Sequence, residues 1–221
     1  MRYNVKRSNS LIYILKTDEM DINEDIFNML PSGRQSRINS ALKKEKAVQL
    51  YAASLLLSYA LSDYGKKLSD IKISETGKPY IEGVPYFNVS HSGKYVVAAV
   101  GFSEIGIDIQ KKKPISDAAA KMFLGVDADF NLASMDKYYH SYVWCRKEAF
   151  LKCTGSGWNA KGEREVPVTG NTAEYGGSCY FLSDYHFDDN YFLTICEKDT
   201  HADFEIKELD KHELELFFGT N

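Results

Sequence analysis

Short apolar runs and longer stretches with helical spacing alternate along the first third of the chain. Residues 11–15 are five consecutive apolar residues between polar ones, which predicts a buried first strand. Residues 21–30 begin with acidic side chains and are followed by a Pro-Ser-Gly turn, a pattern typical of a short helix. From residue 34 to about residue 64, apolar side chains recur at helical spacing, so this stretch predicts one long helix.

Two strand-like runs follow in the middle of the chain. Residues 95–101 are apolar and rich in β-branched side chains, and residues 105–110 alternate with a period of two. The short turn between them predicts a hairpin. On the second strand the isoleucines share one face, while Gly106, Asp108 and Gln110 share the other. Because glycine has no side chain, we expect this second face to be open to a ligand or metal.

The last third predicts one helix followed by strands. Residues 135–154 contain good helix formers, and on a helix Trp144, Glu148 and Lys152 share a face. Short strands with glycine- and aspartate-rich turns follow, and residues 203–218 predict an edge strand and an amphipathic helix. Helices combined with antiparallel strands predict an α+β fold.

The predicted elements divide the chain near residue 102. We expect an amino-terminal α+β half at residues 1–102 and a carboxy-terminal α+β half at residues 103–221. The chain is 44% hydrophobic, which is enough for a sizeable core.

Charge and cysteine content exclude several classes of protein. The net charge of −4 is too small to indicate a nucleic-acid partner. No apolar run is long enough for a signal core or a membrane span. The four cysteines form no Cys-x-x-Cys pair, so we interpret them as reduced core residues of a cytoplasmic protein.

Each chemically interesting residue, taken alone, has an ordinary explanation. Asp108 could be a strand-end residue on a solvated face. Glu148 and Lys152 could form a surface ion pair that stabilises a helix by roughly 0.2–0.5 kcal/mol. Arg34 and Arg37 could simply be solvated at the start of the long helix.

Four short motifs change this picture because of their order and spacing. They are GKP at residues 77–79, FNVSHSG at 87–93, GIDIQ at 106–110 and WCRKEAFLK at 144–152. Each is weak alone. Together they resemble the 4′-phosphopantetheinyl transferases of the surfactin-synthetase-activating (Sfp) type, in which GKP, FNxSHS, GxDxE and WxxKEAxxK elements occur in this order.

The resemblance implies a fold, a reaction and partners. The fold would be a pseudo-dimer of two similar α+β halves with the active site in the cleft between them. The reaction would move the 4′-phosphopantetheine arm of coenzyme A to a serine of an apo acyl or peptidyl carrier protein and release adenosine 3′,5′-bisphosphate, with Mg²⁺ as cofactor. We expect a monomer that binds neither nucleic acid nor membrane.

The resemblance also implies roles for individual residues. Asp108, Glu148 and Gln110 would hold Mg²⁺, and Glu148, Lys152 and Asp108 would be catalytic, with Glu148 or a water it orients as the base. The predicted coenzyme A contacts are Lys78, Ser90, His91, Arg34, Arg37 and Lys147. Gln110 departs from the family, which commonly has Glu there, so its role as a metal ligand is left open.

Two other classes of protein compete with a transferase. A protein that binds coenzyme A or a carrier without catalysis could keep Lys78 and His91 but lose Asp108 or Glu148. A structural α+β protein would have no reason to combine the four motifs. Both acidic residues are present, which favours the enzyme.

Overall fold

The computed structural model describes residues 10–159, 161–201 and 203–219. Its strands are β1 (Ser10–Lys16), β2 (Lys72–Ile73), β3 (Pro79–Tyr80), β4 (Tyr86–Ser92), β5 (Tyr95–Gly101), β6 (Ile105–Lys111), β7 (Thr172–Tyr175), β8 (Ser178–Asp184), β9 (Tyr191–Lys198) and β10 (Phe204–Leu209). Its helices are α1 (Glu24–Met29), α2 (Ser32–Asn39), α3 (Lys44–Ser62), α4 (Asp117–Phe123), α5 (Phe130–Met135), α6 (Tyr139–Thr154), α7 (Lys161–Arg164) and α8 (Lys211–Gly219). The predicted mixed α+β class is confirmed.

The first sheet has the strand order β10-β1-β5-β4. Its central strand β1 is apolar at consecutive positions because both of its faces are buried. Tyr13 and Leu15 belong to the core shared with α3, while Ile12 and Ile14 belong to the core shared with the second sheet. The last strand, β10, pairs in parallel with β1, so the end of the chain returns to the first sheet.

The second sheet has the strand order β6-β9-β8-β7 and is antiparallel throughout. Ile105, Ile107 and Ile109 of β6 pack into the core between the two sheets, as their shared face predicts. Helix α6 covers the opposite face of this sheet. The order of layers is therefore α3, first sheet, second sheet, α6.

The predicted hairpin between residues 95–101 and 105–110 is wrong. Both strands exist, but β5 pairs with β1 and β4, whereas β6 pairs with β9. The chain passes from one sheet to the other between Gly101 and Ile105. Local patterning could not reveal this, because a short turn between two apolar strands fits either a hairpin or a change of sheet.

The single helix predicted for residues 34–64 is also wrong. The structure has two helices, α2 and α3, separated by residues 40–43. Ser40 ends the first of them, since its hydroxyl donates to the carbonyl oxygen of Arg37 and its backbone N–H donates to that of Ser36. Leu42, in the break, is fully exposed and supplies no helical core position.

Gly106 does not leave an open face for a ligand, in contrast to the prediction. A β-carbon at this position would collide with the backbone oxygen of Ala149 and the backbone nitrogen of Cys153. The glycine therefore allows the backbone of α6 to lie directly against β6. In the part of the chain that the structure describes, no helix is both long and apolar enough to cross a membrane.

Gly106→Ala tests this close packing. We expect the free energy of unfolding to fall by about 1–3 kcal/mol, because the added methyl group meets backbone atoms that cannot rotate away. Gly33→Ala is the matched control, since Gly33 lies in α2 with open space around it. Urea unfolding followed by circular dichroism measures both variants. Equal stability of the two would contradict the packing described for β6 and α6.

Candidate active site

The edge strands of the two sheets, β4 and β6, are joined by side chains. Asn88 Oδ1 accepts from the backbone N–H of Ile107 at 3.1 Å, and Ser92 Oγ accepts from that of Lys111 at 3.0 Å. Between them, Ser90 Oγ donates to Asp108 Oδ1 at 2.7 Å. Because alternate strand residues share a face, the polar positions 88, 90 and 92 all reach β6.

A cleft of about 370 Å³ opens beside this seam. Its walls come from α2, α3, β4, β6 and α6. The lining residues are Arg34, Arg37, Ile38, Leu50, Ala53, Ser54, Val89, Ser90, His91, Asp108, Gln110, Glu148 and Lys152. The structure thus brings eight of the ten residues predicted for the site into one cavity.

Asp108 lies at the centre of the polar contacts in the cleft. Its side chain is only 2% exposed and pairs with Lys152 Nζ at 2.6 Å. Gln110 Nε2 donates to the other carboxylate oxygen at 2.7 Å, and Lys152 Nζ also donates to Ser90 Oγ at 2.9 Å. The solvated strand-end explanation for Asp108 is therefore wrong, since every contact that it makes is inside the protein.

Glu148 approaches the same point from α6. It lies one turn before Lys152, so the two side chains share the face of the helix that faces the cleft. Burial raises the pKa of the Glu148 carboxyl, and the nearby Asp108 carboxylate raises it further. Glu148 Oε1 accepts a hydrogen bond of 2.6 Å from the indole N–H of Trp158. A carboxylate with a raised pKa is suited to accepting a proton.

A second part of the cleft lining, its basic end, carries Arg34, Arg37 and His91. Lys46 lies beside it, with its Nζ 2.8 Å from His91 Nε2. Burial, together with the nearby charges of Lys46 and Lys152, lowers the pKa of His91 to about 4, so the ring is neutral at pH 7. Among the described residues no carboxylate forms a salt bridge with these two arginines or with Lys46. Such a cluster is suited to bind an anion.

Lys46 was not among the predicted site residues. In the sequence it belongs to the charged run at residues 43–46, which is indistinguishable from a solvated helix face. The break before α3 fixes which side of that helix points to the cleft. With this break known, Lys46 could have been distinguished from Lys44, which pairs with Asp21 at the surface.

Lys147 does not line the cleft, so the prediction that it contacts coenzyme A is corrected here. Its side chain is fully buried and pairs with Asp127 at 2.6 Å. Its Nζ also donates to the backbone oxygens of Arg164 and Val166. Consecutive helix residues are about 100° apart around the axis, so Lys147 faces away from Glu148.

Lys78 also lies outside the lining of the cleft. Its Nζ donates to the backbone oxygen of Cys153 at 2.7 Å, in the last turn of α6. Its aliphatic chain packs beside Gly155, which ends that helix. In this arrangement Lys78 satisfies a helix carbonyl.

The acidic end of the cleft fits a magnesium ion by its donor chemistry. Asp108 and Glu148 supply carboxylate oxygens, and Gln110 offers an amide oxygen, which are the hard donors that Mg²⁺ prefers. The described residues contain no cluster of three or more His, Cys, Asp or Glu suited to a metal. Two carboxylates suffice to bind Mg²⁺ when phosphate oxygens complete the coordination shell of the ion.

Known proteins resemble this chain over most of its length. Residues 104–196 match the model of the 4′-phosphopantetheinyl transferase superfamily. The chain is 30% identical over 211 residues to 4′-phosphopantetheinyl transferase Sfp of Bacillus subtilis (strain 168), covering 87% of this chain and 92% of that protein. It is 28% identical over 203 residues to 4′-phosphopantetheinyl transferase ffp of Bacillus subtilis, covering 84% and 89%.

A third relative, 4′-phosphopantetheinyl transferase psf-1 of Bacillus pumilus, is 33% identical over 135 residues, which is 55% of this chain and 58% of that protein. The chain therefore belongs to the 4′-phosphopantetheinyl transferase family. Within that family it is an enzyme of the surfactin-synthetase-activating (Sfp) type.

Methionine substitutions at Lys147 and Lys152 test whether these two residues lie on different faces of α6. Lys147→Met leaves the Asp127 carboxylate buried without its cation, so we expect a loss of about 3–5 kcal/mol in the free energy of unfolding. Lys152→Met should lower the free energy of unfolding less, because Lys152 is partly exposed and Asp108 still accepts hydrogen bonds from Ser90 and Gln110. Urea unfolding measures both. If Lys147→Met is no less stable than Lys152→Met, the two faces are assigned incorrectly.

Proposed function

We propose that this enzyme transfers the 4′-phosphopantetheine arm of coenzyme A to a serine hydroxyl of an apo acyl or peptidyl carrier protein, in a Mg²⁺-dependent reaction that releases adenosine 3′,5′-bisphosphate. The observation that carries the proposal is that basic residues and a pair of carboxylates, Asp108 and Glu148, line one cleft. An anionic substrate and a metal-assisted phosphoryl transfer need both.

The basic end would bind the phosphates of coenzyme A. Arg34 and Arg37 offer guanidinium groups that match phosphate oxygens, and Lys46 adds a point charge. His91 is neutral and its Nε2 faces Lys46. A bound phosphate would favour the protonated ring, which could then donate to it as well. These groups touch parts of the substrate remote from the reacting phosphorus.

The acidic end would support the chemical step. Bound Mg²⁺ would neutralise charge on the diphosphate, with Asp108 and Glu148 as its protein ligands and Gln110 as an additional oxygen donor. Glu148, directly or through a water, would accept the proton of the carrier serine. The serine oxygen forms a bond to the phosphorus that carries the pantetheine. The bond from that phosphorus to the oxygen of adenosine bisphosphate breaks.

Lys152 would stabilise the leaving phosphate. In the structure its ammonium group pairs with Asp108 at the side of the cleft that Glu148 also lines. With Mg²⁺ held by Asp108 and Glu148, the Lys152 ammonium group would be available to a phosphate oxygen. Ser90, which donates to Asp108 and accepts from Lys152, would keep both side chains in place.

We further propose that the architecture is a pseudo-dimer of halves at residues 1–102 and 103–221, with the active site between them. Each four-stranded sheet is covered by a long helix, and the first half supplies three strands of the first sheet, β1, β4 and β5. Strand β10 and helix α8 would then cross back to the first half. Cytoplasmic location agrees with four free cysteines.

Mass spectrometry of a carrier protein tests the reaction. The protein is incubated with coenzyme A, Mg²⁺ and an apo carrier, and the carrier is then weighed. We expect a gain equal to the phosphopantetheine arm, absent when the acceptor serine is replaced by alanine or when EDTA is added. A carrier that binds but gains no mass would favour the alternative of a carrier-binding protein without catalysis.

Glu148→Gln and Gln110→Ala compare how much each of the two residues contributes to the chemical step. Loss of a general base typically lowers kcat by about 10²–10⁴-fold, so we expect a loss of this size for Glu148→Gln. Gln110→Ala should cost far less, because phosphate oxygens can replace its neutral oxygen. Rates of carrier loading across a Mg²⁺ series measure both. Equal inactivity at saturating Mg²⁺ would show a direct role for the Gln110 amide.

Lys46→Met tests the basic end. A hydrogen bond to a charged group contributes roughly 1.5–3 kcal/mol, so the affinity for coenzyme A should fall about 10- to 100-fold while kcat changes little. Lys44→Met is the matched control two residues away, since Lys44 pairs with Asp21 at the surface. Calorimetric titration with coenzyme A measures both. The assignment fails if the two variants bind equally.

A further inference from the structure

Trp158 has no role in the four motifs, yet its indole lies against the candidate base. The chain leaves α6 through Gly155 and Gly157, which both have positive φ angles, of 77° and 61°. This conformation favours glycine and reverses the chain direction within a few residues. The reversal places Trp158, in a single turn of 3-10 helix, beside the middle of α6.

Two aromatic rings hold the Trp158 ring in position. It stacks on Trp144 with ring centroids 4.6 Å apart and an angle of 29° between the planes. Phe123 of α4 meets both indoles edge-on, at 5.4 Å from Trp144 and 5.6 Å from Trp158. A ring packed in this way has little freedom to rotate. Its N–H direction is therefore set before any substrate binds.

That N–H donates to Glu148 Oε1 at 2.6 Å. An indole has one polar hydrogen and no acceptor, so Trp158 is suited to hold one carboxylate oxygen and leave the other for the site. Trp144 is one turn before Glu148 on the same helix face, yet the described residues show no hydrogen bond from its indole to Glu148. The two indoles of the stacked pair thus differ in this one contact.

We propose that Trp158 is a positioning residue for Glu148: its N–H fixes one oxygen of the carboxylate so that the other is presented to the metal and the carrier serine. The inference rests on the proposed function for its consequence in catalysis. Partners that orient metal-binding carboxylates commonly change metal affinity or activity by roughly 10–100-fold when they are removed.

Trp158→Phe and Trp144→Phe form a matched pair, because each keeps a ring in the stack and removes one indole N–H. We expect Trp158→Phe to weaken Mg²⁺ binding in the presence of coenzyme A by roughly 10–100-fold, and Trp144→Phe by much less. The affinity for coenzyme A itself should stay unchanged in both, since the basic end is not altered. Calorimetry measures the two affinities, and urea unfolding shows that both variants are folded.

A second measurement needs no metal and no substrate. The chain has two tryptophans, so Trp144→Phe leaves Trp158 as the sole source of an indole N–H signal in nuclear magnetic resonance. We expect this signal to shift and to exchange faster with solvent when Glu148→Ala is added. Equal Mg²⁺ affinities in the two Trp variants, or an indole signal unaffected by Glu148→Ala, would overturn the inference. Failure of the proposed function looks different, because wild-type protein would then leave the carrier unloaded.

Discussion

The candidate site depends on the seam between β4 and β6. These strands are the edges of two different sheets, and side chains rather than a backbone ladder join them. An exposed strand edge is a risk for a protein because it can pair with other chains. Here the seam covers both edges, and the Ser90 and Asp108 contact within it forms the floor of the cleft. The same interaction joins the sheets and places a carboxylate at the site.

The charges of the site would be costly for an ordinary core. Burying Asp108 and pairing it with Lys152 recovers little net stability, because both groups lose solvation. Replacing such a pair with apolar residues is often neutral or stabilising. Its presence at the end of a cleft that also holds Glu148 is therefore better explained by chemistry than by stability.

Helix α6 carries charged groups with two different tasks on its two sides. Glu148 and Lys152 face the cleft, whereas Arg146 and Lys147 are buried on the far side. Arg146 donates to the backbone oxygens of Val168 and Gly170, and Lys147 donates to those of Arg164 and Val166. They fix the segment after α7 against the helix. Neighbouring residues of one motif thus line the cleft and stabilise the fold separately.

Local patterns predicted those parts of the molecule that local physics decides. Period-two spacing placed the isoleucines of β6 in the core and Asp108 on the opposite face, and helical spacing placed Glu148 and Lys152 together. The resemblance to the family supplied Arg34, Arg37 and His91 of the basic end but not Lys46. Neither source could show which strand pairs with which. That choice depends on contacts between distant parts of the chain, so the change of sheet after Gly101 was missed.

The remaining wrong or missing predictions have other physical origins. The break at Ser40, which fixes the orientation of Lys46, comes from a short-range hydrogen bond in an otherwise helical sequence. Lys147 was assigned by its place in a motif, although its neighbour Glu148 faces another direction. Trp158 lies after the helix ends, and only the chain reversal at two glycines brings it back to the site.

A crystal structure with coenzyme A and Mg²⁺ tests most directly that one cleft combines phosphate binding with carboxylate chemistry. The account predicts phosphate oxygens within hydrogen-bond distance of Arg37, Lys46 and His91, with the diphosphate beside Asp108 and Glu148. A second cavity, of about 1050 Å³, shares no lining residue with the cleft and is lined in part by Lys44, Lys94 and Tyr191. Coenzyme A bound there, with its diphosphate away from Asp108 and Glu148, would contradict the account.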